Sequence, residues 1–325
     1  VRGPGGEAVS PLQIVAFGGG SGLSILLKGL ASHVPRVRVT AVIAVTDDGG
    51  SSGELRRWFG LPALGDARKC LSAVVPDPDW AELLEHRFAA SPELHRHALG
   101  NFLLAAATQR AGRLSEALGS VSSLMKARVR LLPMSDVPAA LVAQRATGQI
   151  VRGQSVQSRL AGPIERVWTE PELVAPAPAV LQAIAGADVI LFGPGSLFTS
   201  VLASTRAAGI SRAISRSGAL RVLVQNLTTQ RGETDGFGLR EHVAAVQAHL
   251  GPRSIDVALV HRWNGEPPQQ GILRDRRALE SLGVAEVMAS LAVDSGRGRL
   301  HDPRQLAAAV LRLARAGERT RKLTG

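Results

Sequence analysis

The chain has 325 residues, 38 Lys+Arg against 27 Asp+Glu for a formal charge of +11, 45% hydrophobic and 3% aromatic residues, one cysteine and no tyrosine. That length holds one large α/β domain or two smaller ones. The lone Cys70 excludes an internal disulfide and a cysteine-cluster metal site, and no apolar run approaches the roughly 18 residues of a membrane span. The basic excess is almost all arginine, the lysines being Lys28, Lys69, Lys126 and Lys322. With few aromatics to stack bases and no RNA- or DNA-binding signature, it suits a phosphate-rich small ligand, and no nucleic-acid partner is expected.

Residues 1–11, rich in glycine and proline, are expected to be a disordered leader. Residues 1–10 lack the apolar segment of a signal peptide, so the expected location is cytoplasmic. An apolar run then breaks at Gly18, Gly19, Gly20, Ser21 and Gly22, and apolar residues resume at 23, 25, 26, 27 and 30. This is the pattern of a buried strand, a tight turn and a helix. Glycines let a backbone pass close to an anion, and the positive end of the next helix faces it, so the stretch outlines a phosphate cradle. Leu23 stands where the dinucleotide fingerprint needs a third glycine, and no Walker A lysine follows. The very apolar 37–45 predicts a central parallel strand ending at Asp47, Asp48, Gly49, Gly50, Ser51, Ser52 and Gly53.

Helical patterns follow at 66–75, 80–89, 100–111 and 114–125. Short strands at 129–132, 139–144, 150–154 and 164–169 predict an antiparallel excursion within an insert of roughly 76–175. The βα alternation returns at 187–192, which ends in Gly193, Pro194, Gly195, Ser196 and Leu197, and at 220–225, which ends in the polar loop 226–234. A helix at 237–250, a strand at 256–260, an apolar run at 284–293 and a last helix at 303–316 complete the chain. The expectation is a Rossmann-like, three-layer α/β domain from residue 12 to 325.

Ligands bind open parallel sheets outside the carboxyl ends of the strands. The polar clusters at 18–22, 47–53, 193–197, 226–234 and 261–265 all fall on that side, which predicts one crevice with two anion cradles. Asp47 and Asp48, pointing to opposite sides, could hold a turn and reach a magnesium ion or a ligand hydroxyl; they are also the best catalytic candidates. Ser51 and Ser52 read as caps or phosphate donors. Asp66 reads as an N-cap, which puts Arg68 and Lys69 in a first helical turn, where cations need a nearby anion. Asn101 reads as a cap and ligand contact. His95 and His97 lack a third metal ligand and read as structural. Thr228, Thr229, Gln230, Glu233 and Thr234 suit sugar or base hydroxyls. No Ser/His/Asp order is apparent.

The strings FGGGSGLSILLKGL, TDDGGSSGELR, LGDARKCLSA, HALGNFLLAA, LFGPGSLFTSVL and NLTTQRGETDGF resemble, in order, the motifs of the YvcK-type gluconeogenesis factor family within the CofD-like superfamily. The resemblance implies a regulator that binds UDP-N-acetylglucosamine-type nucleotide sugars and links carbon metabolism to cell-envelope precursors and cell shape. It implies a regulated protein partner, allows a homo-oligomer, and requires no cofactor. The CofD branch implies instead a magnesium-dependent transfer of a phospholactyl-type group from a nucleotide diphosphate to a deazaflavin. Carried over by motif, ligand contacts fall on Gly19, Gly20, Ser21, Asp47, Ser51, Asn101, Gly195, Ser196, Asn226 and Gln230. A family nucleotide contact made by a tyrosine beyond residue 260 has no counterpart here, which leaves the nucleotide's identity open. An NAD-binding protein is the remaining alternative.

Overall fold

The computed structural model describes residues 10–88, 94, 97–154, 160, 162–265, 268, 270–294 and 299–324. The expected leader therefore lies, but for its last two residues, outside the described part, as does His95. In chain order the strands are β1 (Leu12–Gly18), β2 (Val37–Ile43), β3 (Arg130–Pro133), β4 (Ala140–Arg145), β5 (Ile150–Arg152), β6 (Ile164–Glu170), β7 (Val189–Phe192), β8 (Leu220–Val224), β9 (Val257–His261), β10 (Ala285–Ala289), β11 (Ala292–Asp294) and β12 (Arg299–His301). Seven of them form the central sheet, in the order β10-β9-β8-β7-β1-β2-β3, with every neighbouring pair parallel. Flanking helices make it the middle of three layers. Burial on both faces explains why β1 and β7 read as continuous apolar runs rather than alternating ones. Phe17 of β1 stacks on Phe192 of β7 with ring centroids 5.7 Å apart.

The middle strand of this order is β7, and beside it stands β1. The chain leaves β1 toward β2 and β3 on one side, then returns to β7, β8, β9 and β10 on the other. The reversal leaves a crevice between the carboxyl ends of β1 and β7. The helix α1 (Gly20–Ala31) opens directly from β1. It packs so tightly on the C-terminal helix Pro303–Thr324 that a Cβ on Gly29 would lie 2.7 Å from the carbonyl carbon of Pro303.

Three expectations change. The strand read at 129–132 is not part of the antiparallel excursion: as β3 it extends the central sheet beside β2, leaving β5-β4-β6 as the antiparallel sheet. The four residues of β3 are too few to distinguish a sheet edge from a hairpin by pattern. The run at 284–293 divides into β10 and β11, because β11 turns to pair with β12. The glycine-rich 47–53, read as a polar strand end, contains the start of helix α2 (Gly50–Phe59), in which Ser51, Ser52, Gly53 and Leu55 are buried. α3 (Gly65–Val74), α4 (Pro78–Glu85), α5 (Leu99–Ala111) and α6 (Leu114–Leu124) supply the helical block.

Candidate functional site

The carboxyl rim is built around the two glycine turns, which touch. A Cβ on Gly22 would fall 2.7 Å from both Gly195 Cα and the carbonyl carbon of Pro194, so only glycine lets the turns after β1 and β7 meet. The second turn is held by the loop after β8. Asn226 accepts from Gly195 N–H at 2.9 Å and donates to the Gly195 carbonyl at 2.8 Å, and Gln230 Nε2 donates to Ser196 Oγ at 2.9 Å. Glu233 is buried, and its carboxylate accepts from the N–H groups of Phe198 (2.6 Å) and Thr199 (3.1 Å), at the head of the π-helix Leu197–Leu202. Those donors are thus already occupied by a protein anion whose pKa burial raises. The second turn shapes the crevice, while the N–H groups after it face Glu233.

On the other side of the first turn, Asp66 leans over Gly19 and Gly20. A Cβ on Gly19 would sit 3.1 Å from Asp66 Cγ, and Gly20 N–H donates to the Asp66 carboxylate. Burial, then the charge of Asp47, pushes the Asp66 carboxyl up to about 6, against the smaller opposing pull of Lys69, Arg68 and the Gly20 bond. A cleft of about 390 Å³ opens here, lined by Asp47, Gly49, Gly50, Ser51, Ser52, Gly65, Asp66, Arg68, Lys69, Arg87 and Asn101. Arg68 is buried and paired with Glu85. Asp47 accepts from Gly49 N–H at 3.0 Å and faces Gly65, whereas the Asp48 carboxylate lies against Gly153 beyond β5. The neighbouring aspartates thus diverge. Together Asp47 and Asp66 form a carboxylate pair open to a hard cation; among the described residues no group of three or more His, Cys, Asp or Glu side chains could hold a metal ion.

Asp66 and Asn101 are not N-caps. α3 begins at Gly65 after Leu64, and α5 at Leu99 after Ala98, because each polar side chain is used across the cleft instead. Asn101 Nδ2 donates to Ser51 Oγ at 2.8 Å. Ser52 Oγ accepts from Gly65 N–H at 3.1 Å. Nor does the absence of a serine–histidine–acid order hold: Ser51 Oγ lies 2.9 Å from His97 Nδ1, and Glu54 Oε2 lies 2.9 Å from His97 Nε2. His97 is fully buried beside Trp58 and Phe102. No linear spacing announces a contact across 46 residues. At the far end of the rim, Arg299 lies over the ring of Trp263, 5.1 Å from its centroid, and Trp263 packs edge-on against His261. Trp263 was legible only as part of a polar strand end, since its partner arrives from β12.

The fold and rim define a doubly wound α/β protein with a polar crevice where its strand order reverses. Beyond that class, the chain belongs to the CofD family, whose model, described as 2-phospho-L-lactate transferase CofD, matches residues 14–294. It is 36% identical to a gluconeogenesis factor of Halalkalibacterium halodurans, over 92% of this chain and 95% of the relative. The gluconeogenesis factor of Bacillus subtilis is 38% identical over 77% of this chain and 78% of the relative. A Deinococcus radiodurans relative is 39% identical over 93% of this chain, which spans 66% of that protein's length. An X-ray structure of a Bacillus halodurans protein superposes with a TM-score of 0.88 at 36% identity, covering 93% of this chain and 99% of that one.

Proposed function

We propose that the rim binds the diphosphate of a UDP-N-acetylglucosamine-type nucleotide sugar, and that the chain acts as a regulator, through a protein partner, between carbon metabolism and cell-envelope precursor synthesis. The observation that carries this reading is the contact of Gly22 with Gly195 at the sheet's reversal point. It joins the turn that opens α1 to the turn held by Asn226 and Gln230, and Asp66 over Gly19 joins the same turn to the cleft lined by Ser51, Lys69 and Asn101, polar groups suited to phosphate and sugar oxygens. Trp263 under Arg299 adds an aromatic face for a base on a chain that has no tyrosine. The relatives' names, gluconeogenesis factor, support a regulatory role.

The Asp47–Asp66 pair favours a second reading, a magnesium-dependent transferase of the kind that the family description names. These two carboxylates would hold the ion, which would neutralise charge on a leaving phosphate. Thermal shifts with UDP-N-acetylglucosamine, GDP, UTP and NAD, each with and without magnesium, separate the readings. A shift by UDP-N-acetylglucosamine without added metal supports the regulator. A shift by GDP that requires magnesium supports the transferase, and a response to NAD alone contradicts both.

A further inference from the structure

The sequence Gly49-Gly50-Ser51-Ser52-Gly53 is a G-x-S-x-G pattern that opens α2: Gly49 precedes the helix, Gly50 to Gly53 form its first turn, and residues 44–48 separate the motif from the end of β2, the order of strand, turn and helix in which such a serine serves as a nucleophile. Its glycines are used as that context demands. Gly50 adopts φ +44°, which strains a side chain although no described atom lies within 4 Å of its Cβ, and a Cβ on Gly53 would fall 2.6 Å from the carbonyl carbon of Asp48. Ser51 follows in the first turn of a ten-residue helix, where the macrodipole favours developing negative charge.

Around Ser51 the groups of a proton relay are already in reach. With the His97 proton on Nε2 beside Glu54, Nδ1 is free to accept the Ser51 hydroxyl proton at 2.9 Å, while Asn101 Nδ2 donates to the same oxygen at 2.8 Å. Glu54 thus stands beside the base at 2.9 Å, without an aligned hydrogen bond to Nε2 among the described residues, and Asn101 orients the nucleophile. The chain order, Ser51, Glu54, His97, is that of the α/β-hydrolase triads. Independently, Asn101 is 2% exposed and its Oδ1 has no hydrogen-bond partner among the described residues. Because Asn101 lines the cleft, that carbonyl is an acceptor left for a ligand donor.

We propose that Ser51, Glu54 and His97 form a catalytic relay, and that Ser51 attacks phosphorus in the diphosphate bound at the rim. The choice of phosphorus rests on the reading of the rim as a diphosphate site and on the Lys69 and Arg87 cations in the cleft wall. As the Ser51 Oγ–P bond forms, the bridging P–O bond breaks. Its electron pair leaves with the departing phosphate, and the Ser51 proton passes to His97 Nδ1. Water then attacks the phosphoserine; Oγ leaves with its bonding pair and recovers the proton from His97, and one proton is released to solvent. The products from a nucleotide sugar are a nucleoside monophosphate and a sugar 1-phosphate.

Reaction of the full-length protein with an alkyl fluorophosphonate tests the relay without requiring nucleotide binding. Attack forms the Oγ–P bond, expels fluoride and hands the proton to His97. Peptide mass spectrometry should find the adduct on Ser51, absent in Ser51→Ala. The labelling rate should fall at least ~100-fold in His97→Gln, and fall less in Glu54→Gln, whose partly exposed side chain makes a folded variant easier to obtain. No Ser51 adduct on folded wild-type protein, or equal rates in wild type, His97→Gln and Glu54→Gln, overturns the proposal. Phosphorus NMR with UDP-N-acetylglucosamine then reads the substrate: UMP supports the full proposal. Labelled Ser51 without UMP keeps the relay and rejects both this substrate and the attack on its diphosphate, whereas a thermal shift by the nucleotide sugar without labelling keeps the binding reading and rejects the relay.

Discussion

Replacing Gly22 with alanine probes the junction on which the rim depends. The added Cβ would stand 2.7 Å from Gly195 Cα and closer still to the Pro194 carbonyl oxygen, and ordinary contact begins near 3.4 Å, so the two turns must part by at least about 0.7 Å. The three obstructing atoms are all backbone, and the second turn is pinned by the paired Asn226 bonds, so the strain cannot relax into a side chain. Overpacking of this kind destabilises by about 1–3 kcal/mol, against a gain of at most ~1 kcal/mol from the better helix former. The proposed binding site would part along the same line, so on that reading affinity for UDP-N-acetylglucosamine should fall at least ~10-fold, equivalent to ~1.4 kcal/mol. Urea unfolding and calorimetric titration measure the two effects. Gly29→Ala is the control: it meets the Pro303 carbonyl carbon at a comparable 2.7 Å, but between α1 and the C-terminal helix. It should lower stability and leave affinity unchanged. If Gly22→Ala is destabilised yet binds like wild type, the junction is not part of the site.

Gly119→Ala, with no described atom within 4 Å of its Cβ inside α6, should raise stability by about 0.5–1 kcal/mol in the same urea experiment. His249 and His301 are held neutral by burial, each lowered to about 4 from 6.5. The unfolded chain therefore binds more protons between those values, and stability is full above pH 6.5 and declines as pH falls toward 4, by up to roughly 3 kcal/mol per histidine. A scan of unfolding midpoint against pH should show that slope, and His249→Gln should flatten part of it. Asn226→Ala removes both bonds to Gly195 and should destabilise by about 1–3 kcal/mol while weakening nucleotide binding; unchanged affinity would count against its place in the site.

The parallel core was legible because strands buried on both faces are written as unbroken apolar runs, as in 14–17 and 189–192. The clustering of polar strand ends on one rim followed from parallel topology alone. What escaped pattern reading was local competition won by tertiary contacts. Gly-Gly-Ser-Ser-Gly has poor helix propensity, yet α2 forms because Ser51, Ser52 and Leu55 are buried there. Asp66 and Asn101 carry the chemistry of caps, but Gly20 N–H and Ser51 Oγ engage them across the cleft. The pairings of Ser51 with His97 and of Trp263 with Arg299 span dozens of residues and leave no periodic trace.

Hydrogen–deuterium exchange with and without UDP-N-acetylglucosamine addresses the central claim most directly, since it reports every strand end at once. The account predicts that ligand slows exchange together in 18–22, 47–53, 65–69, 193–197 and 226–234. Protection confined to one of these stretches, or appearing at the opposite ends of the strands, would contradict it.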